Sequence, residues 1–206
     1  MFAHLKPKLA QPRRTILLLS GWPGSGKDAA ASLLMEECGF TRYAFADRLR
    51  QEVSQRTGLP TSLFQSHGLK DEQLVTPCPL YPAAETPRDI LRAHAKQALA
   101  AHPNCYSRAV AEAIREDSCA RAVISDWRTL DELQVIQEAF PTAEILTIRI
   151  TRARAAAPPS LATIEHELDA FPFALRIAND GTVSDLRDAL HQVLRPLIHG
   201  TVGYQI

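Results

Sequence analysis

The run GWPGSGKDAAASLL, residues 21–34, carries the residue types that grip phosphate. Gly21 and Gly26 stand five apart and Lys27 follows at once, the spacing G-x-x-x-x-G-K. Glycines let the backbone bend until successive N–H groups converge on one anion, and Gly24 and Ser25 fall inside that bend. A helix starting where the bend ends adds the positive end of its dipole. Lys27 is then a movable point charge for the outer phosphates of a nucleotide. Asp28 follows where such loops usually carry a Ser or Thr hydroxyl. A carboxylate there holds a divalent cation directly or through a metal-bound water, and its repulsion from phosphate demands such a cation. Asp28 can also cap the helix, and the two roles are compatible.

A second acidic position stands at 126. VISDWR (123–128) puts Asp126 just past an apolar strand, where an aspartate of a phosphate-loop enzyme holds magnesium through water. A strand-end aspartate caps turns about as often, so the glycine loop is what turns Asp126 toward metal. Arg128 would face the same crevice, and its planar fork suits the oxygens of a phosphoryl group in transfer or of an acceptor phosphate. Trp127 is a candidate stacking surface for an acceptor, although a tryptophan beside a strand end more often packs. Arg149, Arg152 and Arg154 follow a later strand and are candidates for a lid that closes over a nucleotide and neutralises charge. Arg48, Lys70 and Arg88 form a second basic set between the second and third strands.

These side chains need a frame that brings them to one edge. The apolar run 15–20 is a strand leading into the loop, and the helix after it covers 26–38, with Ala29, Ala30, Leu33 and Leu34 at helical spacing. TRYAF (41–45) is a short strand, Asp47 is placed to cap a helix over 48–57, and Gly58–Pro60 end it. The stretch 61–86, with Pro77, Pro79 and Pro82 close together, is the least regular, and a loop of that length is functional or mobile. Pro87 opens a helix reaching 101, Pro103 breaks the pattern, and a further helix covers 106–116. Strands at 121–126, 143–150 and 174–178 alternate with helices at 131–140 and 161–168. NDG (179–181) is a turn, and 183–194 a closing amphipathic helix that Pro196 terminates. The alternation predicts an α/β fold, a five-stranded parallel sheet with helices on both faces and ligands outside the carboxyl ends of the strands.

The chain's 206 residues suffice for one well-buried domain. Its 23 Lys and Arg balance 23 Asp and Glu, so no global field draws it to nucleic acid or a membrane. The longest apolar run, Ile16–Leu19, is far short of the ~20 residues of a membrane span. Cys38, Cys78, Cys105 and Cys119 are scattered without metal-ligand spacing, which points to free thiols in a reducing, cytoplasmic compartment. The first fourteen residues hold four basic side chains and no acidic one. Two prolines and the lack of an amphipathic repeat there favour a solvated tail over a targeting peptide.

GSGKD (24–28), AFAD (44–47), TPRDIL (86–91), VISDWR followed by Glu132, and IANDGT (177–182) occur in that order. Through them the chain resembles the deoxynucleoside monophosphate kinases of phages and large DNA viruses over about 15–194. It resembles almost as closely the animal-type phosphomevalonate kinases, a sister group of the same fold. The resemblance implies a P-loop NTPase fold of the adenylate-kinase type. A flexible basic tail at 1–14 would precede a single domain at 15–200, with an acceptor-binding region at 46–116 and a short lid at 150–162. ATP is the implied donor, Mg2+ the implied ion, and a small phosphomonoester the implied partner. Lys27, Asp28, Asp126 and Arg128 match the motif positions one by one. Lys27, Arg128 and the lid residue Arg152 are then the expected catalytic groups, with Asp28 and Asp126 at the metal. Gly21, Gly24, Ser25, Gly26, Asn179 and Asp180 join Lys27 and Asp28 around the nucleotide, the asparagine and aspartate where the relatives' chain passes the adenine. Asp47, Arg48, Lys70, Arg88, Trp127 and Glu165 are the expected acceptor contacts, Glu165 matching a glutamate before the last strand. Trp22 and Pro23 stand where both groups often carry basic residues, and Thr129 where phosphomevalonate kinases tend to have a second arginine. RAHAK (92–96) replaces a Leu-Gly step common in the viral kinases, so the acceptor pocket is less closely matched than the donor site.

The expected reaction is transfer of the γ-phosphoryl group of ATP to a deoxynucleoside monophosphate. An acceptor phosphate oxygen is already ionised at neutral pH, so alignment and charge are what the protein contributes. Phe64, Tyr81, Tyr106 and Trp127 are the aromatic surfaces a base would use, whereas phosphomevalonate needs only cationic clamps and a small polar pocket. A nucleotide switch without transfer activity is disfavoured: no Asn-Lys-x-Asp run occurs, and the arginines after the fourth strand suit a lid better. Nucleic-acid binding lacks an aromatic, basic sheet face. A homodimer is compatible with the sequence, which fixes neither oligomeric state nor base preference.

Overall fold

The computed structural model describes residues 14–66, 68–155 and 166–198. Its strands are β1 (Thr15–Ser20), β2 (Thr41–Tyr43), β3 (Arg121–Ile124), β4 (Glu144–Thr151) and β5 (Leu175–Ala178). The helices are α1 (Lys27–Cys38), α2 (Phe45–Thr57), α3 (Ser62–Gln65), α4 (Pro87–Ala101), α5 (Cys105–Glu116), α6 (Leu130–Ala139) and α7 (Val183–Ile198). All five strands run parallel in the order β2-β3-β1-β4-β5. Central β1 pairs Leu18 with Ile124 of β3 and Ser20 with Arg149 of β4. This order, with a glycine loop leaving the central strand, is the adenylate-kinase-like P-loop fold.

The apolar run of β1 has no polar alternation because both of its faces are covered. Successive side chains point to opposite faces. Ile16 and Leu18 pack with Val110 and Ile114 of α5 and with Leu133 and Ile136 of α6. Leu17 and Leu19 pack with Leu33 and Leu34 of α1 and with Leu186, Leu190 and Leu194 of α7. A third cluster joins Val53 of α2 and Ile90 of α4 to Phe64, Cys78, Tyr81 and Ala84. Those last four residues anchor the irregular stretch 61–86, which also forms α3 and a 3-10 turn at Leu69–Asp71. Tyr81 is tied down further by its hydroxyl, 2.6 Å from Nδ1 of buried His94.

Several elements differ from the sequence expectation. The second strand stops at Tyr43, and α2 begins at Phe45 rather than 48. Asp47 therefore lies within the first turn and makes no cap. The cap comes from Asp126, whose Oδ1 and Oδ2 accept the N–H groups of Phe45 at 2.8 Å and Ala46 at 3.0 Å. α7 continues past Pro196 to Ile198, since a proline removes only its own N–H and those after it still reach back. Of the helix expected at 161–168, residues 161–165 lie outside the described residues and 166–168 are turn. All four cysteines are free thiols. No helix among the described residues is long and apolar enough to cross a membrane.

Candidate active site

The glycine loop leaves β1 at the carboxyl edge of the sheet and ends at Gly26, whose φ of 97° strains any residue with a Cβ. A Cβ at Gly26 would lie 2.1 Å from Asn179 Nδ2, and one at Gly21 2.3 Å from the Ile150 carbonyl oxygen. The loop is thus pressed against β4 and the end of β5. Asn179 holds it there, donating Nδ2 to the Ser25 carbonyl at 2.8 Å. Lys27 Nζ donates to the carbonyls of Gly21 (2.7 Å) and Trp22 (3.2 Å), arching over the bend. Ser25 Oγ is buried with no hydrogen-bond partner among the described residues. A buried hydroxyl without a partner, glycines with no room for a side chain and an arched lysine are the donor set a polyphosphate tail satisfies.

A cleft of about 410 Å³ opens beside this loop. It brings Lys27, Asp28, Asp126 and Arg128 together with Lys70 and Arg88. It also takes in Arg42, Arg50 and Arg149. Asp47 bridges two of these, its Oδ2 3.2 Å from Arg42 Nη1 and its Oδ1 2.6 Å from Arg50 Nη1. Arg88 is paired through Nε and Nη2 with Asp71, the latter contact at 2.7 Å. Lys70 is held below the ordinary lysine value, by burial first and then by the charges of Arg88 and Arg50. Such crowding of like charge is relieved by an anion.

The loop after β3 is fixed from behind by Glu132. Its Oε2 accepts the N–H groups of Arg128 (2.8 Å) and Thr129 (3.0 Å), half of a capping box at the start of α6. Burial pushes the Glu132 carboxyl up to about 7, and the negative charge of Asp126 adds to the push. Asp28 and Asp126 are two carboxylates on one cleft, which suits a magnesium ion whose shell is completed by phosphate oxygens and water. Each Asp126 oxygen retains acceptor capacity beyond its one backbone bond. Among the described residues no group of three or more His, Cys, Asp or Glu could hold a metal by itself.

Other expected site residues have different surroundings. Arg48 points along the exposed side of α2 to Glu52, 2.7 Å away, and does not line the cleft. Helical geometry separates it from Arg50, which shares a face with Asp47 three residues back. Trp127 lines the cleft but is only 1% exposed, and its ring packs edge-on against Phe171 and Phe173. Phe64, Tyr81 and Tyr106 are likewise buried, in the apolar clusters. Arg149 belongs to the sheet and not to a lid: it is buried and bonded to Ser20 Oγ (3.0 Å) and Asp169 (2.9 Å). Its guanidinium also stands 5.1 Å from the centre of the Trp22 ring. Arg152 and Arg154 lie in the turn after β4, and neither lines the cleft. Asp180 accepts the N–H of Ala153 at 2.6 Å, tying that turn to the end of β5. Glu165 and most of the expected lid, 156–162, lie outside the described residues.

No protein-family model and no curated sequence matches the chain. Solved structures do. The structure of TT1252 from Thermus thermophilus has a TM-score of 0.51 at 17% identity, covering 90% of this chain and 98% of that one. The APS kinase of Mycobacterium tuberculosis in complex with AMPPNP and APS has a TM-score of 0.48 at 13% identity, covering 90% and 99%. The shikimate kinase of Aquifex aeolicus has a TM-score of 0.46 at 15% identity, covering 92% and 99%. At these identities the likeness is one of fold.

Proposed function

We propose that the chain is an ATP-dependent phosphotransferase that moves the γ-phosphoryl group to a phosphomonoester, a deoxynucleoside monophosphate being the first acceptor to test. One observation carries this reading: a single cleft in which the glycine loop and Lys27 face Arg42, Arg50, Lys70, Arg88 and Arg128. A loop of this kind suffices for one polyphosphate tail. A second cationic wall on the 46–116 side calls for a second anion.

In the transfer an ionised oxygen of the acceptor phosphate bonds to the γ-phosphorus, and the bond from that phosphorus to the β-bridging oxygen breaks. ADP leaves and the acceptor becomes a diphosphate. No side chain has to remove a proton. Lys27 exchanges its two carbonyl partners for phosphate oxygens, and Arg128, on the loop that Glu132 fixes, neutralises charge between donor and acceptor. Asp28 and Asp126 would hold a magnesium ion, which would neutralise charge on the outer phosphates. The cations of the 46–116 side hold the acceptor in line.

A second reading keeps the reaction and takes phosphomevalonate as acceptor. It is favoured by the burial of Phe64, Tyr81 and Tyr106 away from the cleft and by the 1% exposure of Trp127 at its wall, which leave little aromatic surface for a base. Initial rates of ADP release with ATP, magnesium and each of the four deoxynucleoside monophosphates or phosphomevalonate separate the two. Substituting Lys27→Ala should lower the rate with the accepted substrate on the order of 100-fold or more and leave the melting temperature unchanged. A near-normal rate in that variant would sink the mechanism. ATP hydrolysis with no accepted phosphomonoester would sink the transfer reading in favour of a nucleotide-binding module.

A further inference from the structure

Among the described residues two aromatic side chains line the cleft, Trp22 and Trp127. Trp127 is packed into the core, whereas Trp22 is half-buried and keeps part of its ring toward the cleft. The glycine loop holds the Trp22 backbone: its carbonyl accepts the Ser25 N–H at 3.0 Å and Lys27 Nζ at 3.2 Å. Pro23, next in the chain, restricts it further. The ring is held from the sheet. The guanidinium of buried Arg149 stands over it, 5.1 Å from its centre. His166 meets the ring at 63°, with centroids 5.0 Å apart. One carboxylate fixes both neighbours: Asp169 Oδ1 accepts from Arg149 Nη2 at 2.9 Å, and its Oδ2 lies 2.9 Å from His166 Nδ1. Ser20 Oγ, at the end of β1, accepts from Arg149 Nη1 at 3.0 Å. An indole braced in this way has little freedom left to lose when a second ring covers it.

We propose that Trp22 is a specificity-determining residue, the surface on which the nucleobase of the acceptor stacks. The inference rests on the phosphotransferase reading and adds the chemical class of the acceptor: a monophosphate that carries a planar base. An aliphatic phosphomonoester gains from the cations of the cleft but nothing from an indole face. Every nucleobase has a π-face to set against one. The base is the acceptor's and not the donor's, because Asn179 and Asp180, where the resemblance puts the adenine, do not line this cleft. Trp22 therefore offers a base the aromatic surface that Phe64, Tyr81 and Tyr106, buried in the apolar clusters, do not.

The test uses the full chain. The probes are the four deoxynucleoside monophosphates, deoxyribose phosphate, which lacks the base, and phosphomevalonate. Each is bound by isothermal titration and then assayed for turnover with ATP and magnesium. Wild type should bind at least one deoxynucleoside monophosphate about 10-fold or more tighter than the baseless sugar phosphate. Trp22→Ala and Trp22→Leu should erase most of that preference and leave deoxyribose phosphate within about twofold. Trp22→Phe, which restores a ring, should recover most of it. KM for the acceptor should follow the binding, with KM for ATP within about twofold. A second readout needs no substitution. The chain has two tryptophans and Trp127 is 1% exposed, so Trp22 supplies the quenchable fluorescence. The recognised monophosphate should shield it from acrylamide, and the sugar phosphate should not. The stacking surface is overturned if the Ala and Leu variants keep the preference, if they weaken both probes alike, if KM for ATP moves as far as that of the acceptor, if the monophosphate gives no shielding, or if wild type binds none of the probes. Turnover of phosphomevalonate with no deoxynucleoside monophosphate bound overturns the surface and leaves the phosphotransferase reading standing. Monophosphate binding that depends on Trp22, in a wild type that transfers no phosphoryl group, does the reverse.

Discussion

Glu132 offers a test of the site's electrostatics that needs no substrate. Its carboxyl is pushed up to about 7, by loss of water first and with the charge of Asp126 adding to it. In the unfolded chain the group titrates near its ordinary 4.5. Between those values the folded protein holds a proton that the unfolded chain has released. Stability from this residue is therefore complete below pH 4.5 and lost as pH rises through about 7. Ionised Glu132 at about pH 8 then costs the folded state on the order of 3 kcal/mol relative to its protonated form. Glu132→Gln keeps an oxygen for the N–H groups of Arg128 and Thr129 and removes the charge. Its amide NH2 is buried in exchange, at about 1–2 kcal/mol regardless of pH. The variant should be less stable than wild type by about that amount near pH 4, and more stable by about 1–2 kcal/mol near pH 8. Urea denaturation followed by tryptophan fluorescence at several pH values reads this directly. Parallel stability curves for the two proteins across the range would refute the reasoning, because they would mean that Glu132 titrates alike in the folded and unfolded chains.

Gly26→Ala should destabilise the fold by about 2–4 kcal/mol, because the left-handed backbone and the 2.1 Å approach to Asn179 Nδ2 act together. Adding Asn179→Ala should recover part of that loss, and a strictly additive double variant in urea denaturation would contradict the clash. Tyr81→Phe leaves Nδ1 of buried His94 without its 2.6 Å partner and should cost about 1–3 kcal/mol. Hydrogen exchange should accelerate at Tyr81 and Ala84, whose N–H groups bond to Cys78 and Tyr81, before it does in the sheet. Wild-type exchange at those amides would place the anchor elsewhere.

What was legible in the sequence was local. The loop announced itself because its chemistry depends on glycine, lysine and spacing within a few residues, and the strands because burial on both faces forces unbroken apolar runs. The start of α2 was not legible, since its cap is Asp126, far along the chain. Two side-chain directions were legible in principle. Along α2, Asp47 and Arg50 are spaced i,i+3 while Arg48 and Glu52 are i,i+4, which already sorts the two arginines onto different faces. In β4, Ile148 and Ile150 belong to the α1–α7 face, so Arg149 between them had to point to the other side. The fate of Trp127 was not legible, because Phe171 and Phe173 reach it only through the folded chain.

The balanced net charge of the chain excludes a global field and says nothing about the cleft. Charges separated by more than about 8 Å in physiological salt are largely screened, so a ligand responds to what lines its own pocket. Lys27, Arg42, Arg50, Lys70, Arg88, Arg128 and Arg149 line this one against Asp28 and Asp126. Several carboxylates that do not line it pair with these cations: Asp47 with Arg42 and Arg50, Asp71 with Arg88, and Asp169 with Arg149. Placed there, an acid serves two ends at once. It lowers the cost of bringing a guanidinium out of bulk water, and it fixes the direction of the fork. A neutral sequence and a cleft lined by seven basic and two acidic side chains are therefore compatible, because three acids paired with its cations lie outside the lining.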